Sequence, residues 1–233
     1  MSPTSENPRG FSVWCVPPRR ISAKPRNYSY MQNVTVILKQ QTSMKKLPNF
    51  DIKPHGEISR AFLRQNILTF HRATEYIQNL SYGRNSNKED LKSIFIEKKG
   101  TCSTKHAVLK QLANENDFKN IQLILGIFKM NPHNTPKVGK TLLKNKLKYI
   151  PEAHNYLKYE NEIFDFTKQN SSSADFVNDL LFETEIQPNE INHIKVQIHK
   201  DYLINWLNEN NNINYALDEL WKIREQCIED LSK

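Results

Sequence analysis

The 233-residue sequence contains no apolar run that approaches the ~18 residues a membrane span requires. Its best apolar run near the N-terminus, Val34 to Leu38, is also too short for the core of a secretory signal. Cysteines are few and odd in number, at positions 15, 102 and 227. Such a set makes no disulfide framework and points to a reducing compartment. There is no internal repeat, and no acidic cluster of the kind that binds calcium. Together these absences predict a cytoplasmic protein with no membrane partner.

Acidic residues are scarce in one place only. The formal net charge is +8, yet residues 1–50 hold eight Lys or Arg against a single acid, Glu6, and the rest of the chain is nearly balanced. A nucleic-acid surface needs a basic body with aromatic interleaving, so a basic tail predicts no nucleic-acid partner. Residues 1–30 also carry five of the eleven prolines and have little to bury. We therefore expect residues 1–43 to be a disordered basic extension, with Met44-Lys45-Lys46 a natural start for the folded part. An organelle-targeting peptide is opposed by the prolines, which break its amphipathic helix. Residues 44–233 are long enough for one domain with a substantial core.

Within that body, Ile58, Phe62, Leu63, Ile67, Phe70, Ile77 and Leu80 recur at helical spacing between Gly56 and Leu80. Ser81 to Asn87 is a loop by composition. Asn87 is placed to cap a helix through Leu91, Ile94 and Phe95, which Lys98-Lys99-Gly100 closes. A further helix runs from Cys102 to about Asn116. Ile121 to Phe128 is almost continuously apolar, as a buried strand is. After a Pro/Asn loop at 131–139 comes a short helix at Thr141 to Leu147. Ala153 to Tyr159 and Glu162 to Thr167 are strand-like, joined by a tight turn at Glu160-Asn161. Ser171 to Leu181 is expected to be a loop into a short helix. The alternation of Ile194, Val196 and Ile198 predicts a half-buried strand over His193 to His199. Helices at Leu203–Leu207 and Ile213–Leu231 end the chain. Helices first and antiparallel strands after is an α+β order.

The residues with chemical promise lie on the middle of this pattern. Cys102 follows a glycine and opens a helix, where exposed N–H groups and the helix dipole favour a thiolate. A base for it comes from His106, one turn on along the same helix, or from His154. His106 has no acid near it in sequence to fix its tautomer, and it lies beneath the thiol rather than across a cleft. His154 is carried back beside Asp165 by the hairpin. On spacing alone Glu160 and Glu162 rival Asp165, but they sit at the hairpin tip, away from His154. A thiol, an imidazole and an orienting carboxylate are the parts of an activated nucleophile. A zinc site on Cys102 and His106 lacks the second pair of ligands that a structural zinc takes. Tyr82, Arg84, Asn85 and His133 lie in loops that could line the cleft.

Gly100-Thr101-Cys102-Ser103-Thr104-Lys105-His106 opening a helix, followed by His154-Asn155-Tyr156-Leu157 and Asp165-Phe166-Thr167 on paired strands, resembles the transglutaminase-like superfamily. The likeness spans roughly residues 60 to 170 and is greatest to the small bacterial members of unassigned substrate. It implies a papain-like α+β fold, with the nucleophile helix packed on an antiparallel sheet. It also implies Cys102 as nucleophile, His154 as general base and Asp165 as its orienter. The tryptophan that follows the cysteine in animal transglutaminases is Ser103 here, and the hairpin is short. Protein crosslinking is therefore not part of what is implied. The implied chemistry is hydrolysis of a peptide or small amide or ester, or transfer to an amine, through a thioacyl intermediate and with no cofactor. A catalytically silent binding or scaffold module of the same fold is the alternative.

Overall fold

A computed structural model describes residues 46–231. The expectations for residues 1–43, Val34–Leu38 and Cys15 among them, and for a start at Met44, lie outside the described residues.

The helical periodicity of Gly56 to Leu80 is carried by two helices, α1 (Glu57–Arg64) and α2 (Phe70–Asn79). Asn66 adopts a left-handed φ of 58° between them, and the Thr69 hydroxyl accepts from Arg72 N–H to start α2. Ser81–Tyr82 (β1) pairs in parallel with Lys99–Gly100 (β2), flanking the short helix α3 (Ser93–Glu97). Asn87 does not cap α3 but closes a local turn by accepting from Glu89 N–H. The left-handed residue that ends α3 is Lys98, with φ 52°, rather than Gly100. Then come α4 (Cys102–Glu115), β3 (Gln122–Met130), α5 (Gly139–Lys144), β4 (Ile150–Tyr159), β5 (Glu162–Phe164), β6 (Leu180–Ile186), α6 (His193–Glu209) and α7 (Leu217–Leu231).

The main sheet is antiparallel throughout, in the order β5-β4-β3-β6. Strand alternation sends its side chains into two cores. Leu123, Leu125, Ile127, Ala153 and Leu157 join residues of α1, α2 and α4 in one. Ile124, Phe128, Met130, Ile150 and Tyr156 join residues of α5, α6 and α7 in the other. The fold is thus mixed helix and sheet, with α4 packed on an antiparallel sheet. Among the described residues no helix is long and apolar enough to cross a membrane.

Two elements differ from the sequence pattern. His193 to His199 is the start of α6, not a strand. The buried positions on α6 are Lys195, His199, Leu203 and Trp206, a helical stripe that begins with two polar residues. Ile194 and Val196, which suggested a strand, are 42% and 40% exposed. Leu180 and Leu181, expected to end a short helix, instead open strand β6, which pairs along β3 as far as Ile186.

The β4–β5 turn brings Asp165 back alongside His154. Glu160 and Asn161 both have positive φ, 47° and 66°, the twist that a two-residue hairpin needs. β5 pairs only with Leu157 to Tyr159, so the chain leaves the ladder at Asp165 and the edge of β4 at His154 stays uncovered. Gly126 lies opposite His154 in the register. A Cβ there would stand 2.8 Å from Tyr156 Cε1 and 3.0 Å from Leu180 Cδ1, so the position has no room for one.

Candidate active site

Cys102 is the first residue of α4 and is 8% exposed. The preceding Thr101 is extended and its side chain caps nothing, which leaves the first-turn N–H groups without a side-chain acceptor. The α4 N-terminus meets the uncovered edge of β4, and there the thiol and the His154 ring line one cavity and act electrostatically on each other. His154 Nε2 lies 3.0 Å from Asp165 Oδ2, so Nδ1 is the ring nitrogen left for the thiol. Asp165 is held in turn: its Oδ1 accepts from the Thr167 backbone N–H at 2.8 Å. The three residues singled out from sequence thus converge, two of them delivered by one hairpin.

Their electrostatics reinforce one another. Burial pushes the Cys102 thiol up, but the charges of Lys195 and His154 outweigh it, and the pKa falls to about 6. Burial pushes His154 down, but the Asp165 and Cys102 charges carry it up to about 10. Burial also works against the Asp165 carboxylate, yet the His154 charge and hydrogen bond hold it well below the usual carboxylate range. Each charge favours the other: His154 draws the thiol toward thiolate, and Cys102 and Asp165 draw the ring toward imidazolium.

No family model, curated protein or solved structure matches this chain. The chemistry of the site rests on its own geometry.

His106, the rival base, is fully buried and already used. Its Nδ1–H donates to the Cys102 carbonyl at 2.7 Å, and its Nε2 accepts from Phe166 N–H at 2.8 Å. That pattern requires the neutral ring with the proton on Nδ1. Burial holds its pKa down to about 4, with Asp165 opposing and the His154 charge adding to the fall. His106 is a strut between the first turn of α4 and the segment after β5. With both nitrogens engaged it has none left for a metal. Glu162, at the hairpin tip, pairs instead with Lys46 at 2.6 Å.

Several residues at the site were not singled out from the sequence. Lys195, on α6, donates to Ser103 Oγ and to Asn155 Oδ1, both at 2.8 Å. Ser103 Oγ also donates to Asn155 Oδ1 at 3.0 Å. Lys195 was hidden by the strand-like alternation around it; the spacing Lys195, His199, Leu203, Trp206 would have found it as part of a helical stripe. Phe176 sets its ring edge against His154, with centroids 4.9 Å apart. Of the loop residues, Tyr82 lies against Cys102 and Arg84 lines a neighbouring cavity. Burial, followed by the Cys102 and Glu152 charges, raises the Tyr82 hydroxyl above its ordinary range and keeps it protonated. Asn85 turns inward, donating to Lys99 O, and His133 lines neither cavity beside the thiol.

A cavity of about 280 Å³ opens on Cys102, His154 and Asp165, with Phe128 and Phe176 as apolar wall. It is near the lower end of small-molecule sites in size. The arrangement can hold a thiolate, return a proton from an imidazolium, and admit a small group or an extended chain end beside them.

Proposed function

We propose that the protein is a cysteine-dependent acyl-transfer enzyme of transglutaminase-like type with a papain-like fold. The observation that carries this reading is the convergence on one cavity of Cys102, at a helix N-terminus, with the hydrogen-bonded pair His154–Asp165. The chain order of the three residues and the packing of α4 on the sheet support the same family reading. The Cys102 thiolate attacks the carbonyl carbon of an amide or ester, and the oxyanion takes the backbone N–H of Cys102 as donor. As the carbon–nitrogen or carbon–oxygen bond breaks, the His154 imidazolium gives its proton to the leaving group. Water or an amine then attacks the thioester, His154 takes the proton back, and the thiolate leaves. Asp165 keeps the ring in the tautomer that both steps need. The chemistry requires no cofactor. It persists where thiols stay reduced, in agreement with the cytoplasmic location expected from the sparse cysteines.

Incubation with p-nitrophenyl acetate followed by intact-mass spectrometry tests the proposal. We expect an acetyl group on Cys102, released by hydroxylamine and absent in Cys102→Ala. A chain that folds but never acylates would be a binding or scaffold module instead.

A further inference from the structure

Cys102 and Tyr82 border a second cavity, of about 190 Å³, which extends toward α6 and α7 and does not include His154. Four cations stand on its wall, Arg84, Lys88, Lys195 and Arg224, against two carboxylates, Glu152 and Glu225. Both carboxylates are already engaged. Arg224 donates to each oxygen of Glu152 and to Glu225 Oε1, and Arg84 donates to Glu225 Oε2 at 2.6 Å. Lys195 has only neutral acceptors, Ser103 and Asn155, and its third N–H has no acceptor among the described residues. Lys88, at the rim, makes no hydrogen bond or salt bridge with any described residue; the charges that act on it are Arg84, Glu225 and Arg224, and Glu225 is already held by the two arginines.

An excess of lysines on an open face is ordinarily just solvated. Here Lys195 is 8% exposed, and burying an ammonium without a counter-charge is costly. In the resting state the Cys102 thiolate supplies that charge. Acylation removes it, because a thioester is neutral, and Lys195 is then left with only the Glu152 charge, which Arg224 already engages. A cavity smaller than the usual range for drug-sized ligands admits a compact group rather than a long side chain.

We infer that this second cavity is a subsite for a compact anionic group on the acyl donor, carboxylate in size and charge, held between Lys88 at the rim and Lys195 beside the thiol. The inference rests on Cys102 being the nucleophile, and it narrows the substrate class to acidic acyl compounds.

Paired alkylating reagents test it without a known substrate. Iodoacetate and iodoacetamide differ chiefly in charge, and a neutral small thiol, N-acetylcysteamine, gives their intrinsic rate ratio. At low salt the iodoacetate-to-iodoacetamide ratio at Cys102 should exceed that intrinsic ratio by on the order of tenfold, the scale of a charge-assisted contact. It should fall severalfold in Lys88→Gln and further in Lys88→Glu, and stay put in Lys144→Gln, an exposed lysine on α5. Thermal unfolding of each variant checks that it is folded. A raised ratio that ignores Lys88 comes from His154 and Lys195 alone and overturns the subsite, as does a ratio equal to that of the small thiol. Failure of Cys102 to react with either reagent is a different result: it removes the nucleophile and the inference with it.

Discussion

Alkylation of Cys102 as a function of pH tests the ion pair directly. A thiol with pKa about 6 is about one-tenth ionised at pH 5, whereas an ordinary thiol near 9 is ionised to about one part in 10⁴. The thiolate excess is thus about 10³-fold. A less basic thiolate is also a weaker nucleophile: with a Brønsted slope of about 0.4–0.5, the lower pKa costs about 20- to 30-fold in intrinsic rate. The net advantage over an unfolded-chain thiol is roughly 30- to 50-fold at pH 5 but only about 4-fold at pH 7. Acidic pH is therefore where the effect is visible. The assay is limited iodoacetamide labelling across the pH range, read by peptide mass spectrometry. Cys227 serves as internal control, because burial and then the Asp230 charge push its thiol up to about 12, so it should stay unlabelled until the chain unfolds. Asp165→Asn removes the charge that sustains the imidazolium, and should move the Cys102 inflection upward by about one pH unit or more. An inflection near 9 in the native protein would refute the ion pair. A profile indifferent to Asp165→Asn but displaced by His106→Gln would put the base on α4 and dismantle the series.

The neutral state of His106 makes its own contribution to acid sensitivity. Its pKa is about 4 when folded against about 6.5 in the unfolded chain, so the stability it confers is complete above about pH 6.5 and drains away as the pH falls toward 4, where the unfolded chain binds the proton first. Urea midpoints should fall through that window and fall less in His106→Gln; an identical slope in the two proteins would remove the strut. Gly126→Ala sets a methyl against the Tyr156 ring and Leu180 and should destabilise by about 1–3 kcal/mol, the usual cost of overpacking. Calorimetry that found its Tm unchanged would mean that the sheet relaxes there freely.

Parts of this molecule are legible in the sequence because they are local. The glycine, the thiol and the apolar period after Cys102 define α4, and an apolar run defines β3. The hairpin is announced by two strand-like runs about a non-apolar pair, which return the chain toward His154, although the ladder ends at Phe164 and the contact with Asp165 lies beyond it. What could not be read depends on distant packing. β6 is a strand because β3 offers it an edge, and most of its residues are only partly buried or exposed, which blurs the alternation. In α6 the decisive stripe contains Lys195 and His199, two residues that ordinarily face water. Each is turned inward by a partner remote in sequence: Asn155 for Lys195, and the Pro151 carbonyl for His199 at 2.9 Å. The electrostatic setting of the thiol was hidden for the same reason, since its largest charge contribution comes from that lysine.

The hairpin also sets an order of events during folding. His154 and Asp165 are eleven residues apart, and a hairpin of that reach closes in about 1–10 μs. Cys102 belongs to a separate helix, and must wait for α4 to dock on the sheet through contacts that close a far longer loop. We expect His154 and Asp165 to come together before the thiol arrives. A nascent or partly refolded chain carries an ordinary, sluggish cysteine, and the low-pKa thiol comes into being only with the last tertiary contacts. Pulse labelling at acidic pH during refolding would show Cys102 reactivity emerging after the hairpin amides are protected. The electrostatic setting of the thiol is thus completed only once the cavity walls beside it are in place.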